Sequence, residues 1–69
     1  QTMDEREALS SKAMNYFEKS AALNLQLGNT DASRNDLESA YTIAVALNDS
    51  ETATRLEGLI VELNNQVAQ

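Results

Sequence analysis

Eleven carboxylates in 69 residues are the first place to look for chemistry. Acid–base work needs two carboxyl groups converging on one bond, which on a helix means a spacing of three or four. Asp36 and Glu38 are two apart, so a helix points them in different directions. Glu57 and Glu62 are five apart and also miss one another. Asp4, Glu5 and Glu7 crowd the beginning of the chain, where they suit the positive end of a helix dipole. His and Cys are both absent, which removes the usual nucleophile–base arrangements, disulfides and any strong zinc site. Asn29-Thr30-Asp31 is too short for a calcium loop, which needs spaced acids, a Gly and a terminal Glu. Asn48-Asp49-Ser50 matches the acceptor tripeptide for N-glycosylation. With seven Asn in the chain one such match is near chance, and the same residues suit a helix start. The expectation is a protein that is not an enzyme and uses no cofactor or metal.

The elements that would carry these residues are helices. The chain has no Pro and no Trp, and its two Gly lie at 28 and 58. Thr2 with Glu5 reads as a capping box, and no breaker follows until Gly28. Gly28 suits the left-handed position that ends a helix. Thr30 or Asp31 would cap a second helix, with apolar positions at Leu37, Ala40, Tyr41 and Ala44. Asp49 or Ser50 would cap a third, whose stripe is Leu56, Leu59, Ile60, Leu63 and Val67. Glu51 and Arg55, four apart, form a favourable pair on it. Gly58 sits inside this third helix and fits either a close crossing or an open surface. The expected helices run over about 3–27, 31–48 and 50–67. Short corners make them antiparallel neighbours in an up-down-up array. Phe17, Leu37, Tyr41, Ala44, Leu56, Ile60 and Leu63 are the expected core. Repeated Ala on the first two helices favours stacking on more than one face. The fold class is all-α, one helical domain over 1–69. A first residue of Gln rather than Met reads as a piece of a larger protein.

Net charge is −6, and the five bases are scattered. No basic patch exists for nucleic acid or for an anionic membrane surface, so neither is an expected partner. No apolar run reaches the length of a membrane span. The chain reads as soluble, with the cytoplasm favoured.

The stretch Leu37-Glu38-Ser39-Ala40-Tyr41-Thr42-Ile43-Ala44, with Gly28 before it and Leu47-Asn48-Asp49 after it, resembles the second helix of a tetratricopeptide-type repeat in its lengthened form. Ser33 falls at a small-residue position of that pattern. Phe17 and Ala21 correspond to Leu56 and Ile60 in the next repeat. Asn24 stands where the family usually has an aromatic. The resemblance covers about one and a half repeats and implies a helical scaffold for protein–protein interaction. It places ligand contacts on Asn15, Glu18, Ala22, Leu25 and Gln26 of the first helix and on Thr54, Glu57, Val61 and Asn64 of the third. It implies a protein or peptide partner, and none of these positions carries the bases that clamp an acidic peptide tail. An accessory lobe of an enzyme or regulator, and a homodimer, are the alternatives. The dimer would form through the N-terminal part of the first helix, which outreaches its neighbours and carries Met3, Ala8, Leu9 and Ala13.

Overall fold

The computed structural model describes residues 3–67, and these form three helices: α1 (Met3–Gln26), α2 (Thr30–Ala46) and α3 (Ser50–Val67). The capping box at Thr2 and the side chains of Met3 and Val67 lie outside the described residues. The all-α, up-down-up reading holds. α1 packs on α2 and α2 packs on α3, whereas no Cα of α1 comes within 8 Å of one in α3. The molecule measures 45 × 21 × 12 Å. Three helices side by side at the usual spacing need a width of roughly 20 Å, so α2 is the middle of an open row.

Both corners use the same backbone device. At the first, the Gly28 N–H donates to the Leu25 carbonyl and the Asn29 N–H to the Asn24 carbonyl. At the second, the Asn48 N–H donates to Val45 and the Asp49 N–H to Ala44. Each is a Schellman closure around one left-handed residue. Gly28 has φ 81° and Asn48 has φ 59°. Asn is among the few side chains that tolerate this region.

The two helix starts then differ. Asp49 caps α3: its carboxylate accepts the Thr52 N–H at 3.2 Å and the Thr52 hydroxyl at 2.7 Å. The hydroxyl above all, then the N–H and more weakly the Arg55 charge hold the Asp49 carboxyl below its ordinary value, against a small opposing effect of burial. At α2 the N-cap is Asn29, and its side chain makes no capping bond. Neither Thr30 nor Asp31 is the cap, because the helix begins one residue earlier than expected and Thr30 is already in its first turn.

The core is centred on Met14, Ala21, Leu37, Ala40, Ala44, Leu56 and Leu63. Phe17, Tyr41 and Ile60 are half-buried and pack around this centre rather than inside it. Met14 is a core residue that the repeat pattern missed. Ser33 is buried too, and its hydroxyl donates to the Ala21 carbonyl at 2.8 Å. A small side chain with a donor therefore lets the start of α2 close onto α1 with no polar atom left unpaired.

Replacement of Gly28 tests the first corner. No atom stands within 4 Å of where its Cβ would lie, so a side chain meets backbone strain and no clash. Gly28→Ala is expected to cost about 1 kcal/mol, and Gly28→Val more, in urea unfolding. Equal, negligible losses would mean that the left-handed turn is not what closes α1.

Candidate functional site

A groove of about 340 Å³ runs between α1 and α3, with α2 as its floor. α1 contributes Glu18, Ala21, Ala22 and Leu25, and α2 contributes Ser33 and Leu37. α3 contributes Arg55, Leu59, Glu62, Leu63 and Gln66. It exists because α1 and α3 both lean on the small side chains of α2 without packing on each other. Leu25 and Leu59 are exposed walls, and Leu37 and Leu63 are buried beneath them.

One ion pair crosses the groove. Arg55 Nη2 lies 2.7 Å from Glu18 Oε1. Arg55 therefore pairs with Glu18 on another helix, not with Glu51 on its own. The pair is partly solvated and adds little to stability. It bridges α1 and α3 at that point. Glu62 is the remaining charge on the lining.

The expected contact residues fare differently on the two helices. Glu18, Ala22 and Leu25 line the groove, while Asn15 and Gln26 are exposed on α1 outside it. Thr54, Glu57, Val61 and Asn64 are exposed on α3, but none of them lines it. At about 100° per residue they occupy the flank of α3 turned away from Leu59 and Glu62. Asn64 instead accepts a 3.3 Å hydrogen bond from Arg34 of α2. Arg55, Leu59, Glu62 and Gln66 are the lining residues that sequence reasoning missed on α3. Arg55 brings a base into the groove after all, with its charge already met by Glu18.

Asn24 has its own role. Its side-chain amide donates to Asp36 at 3.0 Å, a polar tie between α1 and α2. Asp36 is thereby engaged in structure. Among the described residues no cluster of three or more potential ligands gathers to hold a metal ion. No described helix is long and apolar enough to cross a membrane.

Comparison of the chain with protein-family models, with curated proteins and with solved structures finds no match.

Gly58 is exposed, and no neighbour stands within 4 Å of where a Cβ would lie. It serves no close crossing among the described residues. Gly58→Ala is expected to stabilise the chain by about 0.5–1 kcal/mol, the ordinary gain from removing a helical glycine. A loss in thermal unfolding would show that the glycine answers to something more than its helix.

Proposed function

We propose that this chain is a non-catalytic helical interaction domain that takes a segment of another protein or peptide into the groove between α1 and α3. The observation that carries this reading is the groove itself: apolar walls at Leu25 and Leu59, an apolar floor at Leu37, and an ion pair that crosses it. Recognition sites combine apolar lining with a few placed polar groups, and this lining follows that pattern. The lining charges are Glu18, Glu62 and Arg55, so an apolar segment with a basic group near Glu62 is complementary. A helical hairpin followed by a further antiparallel helix is also in keeping with the resemblance to tetratricopeptide-type repeats.

The test is a photo-reactive side chain placed at Leu59 in the chain expressed in its own cells, with Val61 as the control on the other flank. A cross-linked partner is expected from position 59, lost when Leu25→Glu is added, and none from position 61. Equal capture at both positions, or capture that survives Leu25→Glu, would overturn the groove as the binding surface.

A further inference from the structure

α1 carries a second, largely apolar line, on the flank beside the face it packs into the core. Leu9, Tyr16 and Leu23 recur at intervals of seven, and Ala13, Ser20 and Leu27 fall four residues after each. Alternating steps of four and three are the heptad signature of a helix that receives another helix along its length. The seam extends over about 27 Å at 1.5 Å per residue. Its large side chains are not covered within the chain: Leu9, Tyr16, Leu23 and Leu27 are between 53% and 69% exposed, while Ala13 and Ser20 at its edge are half-buried. Tyr16 stands edge-to-face on half-buried Phe17, ring centroids 5.9 Å apart, which anchors the line to the core.

Charge narrows the occupant. With Leu9, Tyr16 and Leu23 at heptad position d, the flanking g positions are Glu5, Lys12, Lys19 and Gln26. The described ion pairs are Arg34–Asp31 and Arg55–Glu18. Lys12 and Lys19 are exposed and take part in neither, so two free cations border the middle of the seam in a chain of net charge −6. A second copy complements them poorly. Antiparallel pairing brings g against g, so each register that overlaps the middle of the seam sets at least one lysine against a lysine, although Glu5 faces Lys19 in one of them. Parallel pairing sets them against the e positions Ser10, Phe17 and Asn24, which carry no acid.

The geometry points to a docking seam for a single amphipathic helix of a different protein, with leucine-like residues at a and d and glutamates on its flanks. This surface is separate from the groove and does not depend on it, since Leu25 and Leu59 lie elsewhere. The probes are two synthetic three-heptad helical peptides with Leu at a and d, one carrying Glu and the other Lys at e and g, titrated against the 69-residue chain by fluorescence anisotropy. The Glu peptide is expected to bind roughly tenfold or more tightly than the Lys peptide, through complementary flanks. The double variant Lys12→Glu, Lys19→Glu is expected to reverse that order. Leu23→Glu, an exposed position, is expected to abolish binding of both peptides with the helical circular dichroism unchanged. Equal affinity for the two peptides, no binding of either, or binding that survives Leu23→Glu would overturn the proposal. So would concentration-dependent dimers in sedimentation that Leu23→Glu dissolves, because the occupant would then be a second copy.

Discussion

Leu56→Ala is expected to destabilise the chain by about 2–5 kcal/mol. Leu56 is 0% exposed and is the largest fully buried side chain. It projects from α3 into the centre where Ala40 and Ala44 of α2 leave room for it. Removing most of its side chain leaves a cavity that α2 cannot fill with small residues alone. A single core of this size rarely supplies more than about 3–5 kcal/mol in total, so the variant is expected to be largely unfolded at room temperature. Urea titration followed at 222 nm measures it. Ile60→Ala, at a half-buried site, should lose clearly less. Equal losses for the two would show that the core is not centred on Leu56.

Ala44→Leu is the second large effect. Ala40 and Ala44 are both fully buried, one helical turn apart on the face of α2 that α1 and α3 share. Three extra carbons at position 44 have no space to enter, so the neighbouring helices must spread. Overpacking of this kind costs typically about 1–3 kcal/mol. Ala46→Leu places the same side chain at an exposed position of the same helix and is expected to stay within about 0.5 kcal/mol of the parent chain. If both variants unfold at the same denaturant concentration, the buried alanines are not setting the helix separation.

The helices and corners were legible because their punctuation is chemical. Gly28 is the residue that enters a left-handed turn at least cost, and Asn48 the next best. The core stripe was legible from its spacing, except for Met14, which lies outside the repeat pattern, and Ser33, whose burial depends on an acceptor twelve residues away. Half of the groove was misplaced for a geometric reason. Carrying the α1 positions to α3 by the constant offset from Phe17 to Leu56 selects the same flank of each helix. Two parallel helices that share a groove turn opposite flanks to it. Thr54, Glu57, Val61 and Asn64 therefore face away from Leu25, and Arg55, Leu59, Glu62 and Gln66 take their place. The Glu18–Arg55 pair was invisible for a related reason, because a bridge between first and third helices follows from their lateral separation and not from any local spacing.

The open row has a consequence for how the chain folds. Each helix rests its backbone only on the one next to it in sequence, so all the pairing needed can be made across a three-residue corner. Low contact order of this kind belongs to domains that fold in microseconds to milliseconds. Either corner can nucleate first, since the α1–α2 hairpin does not need α3 in place and the α2–α3 hairpin does not need α1. The outer helices can then detach one at a time, while α2 is released only after both have gone. Amide hydrogen exchange is accordingly expected to be slowest around Ala40 and Ala44 and fastest toward the outer ends of α1 and α3, a gradient set by position in the row and not by helix propensity.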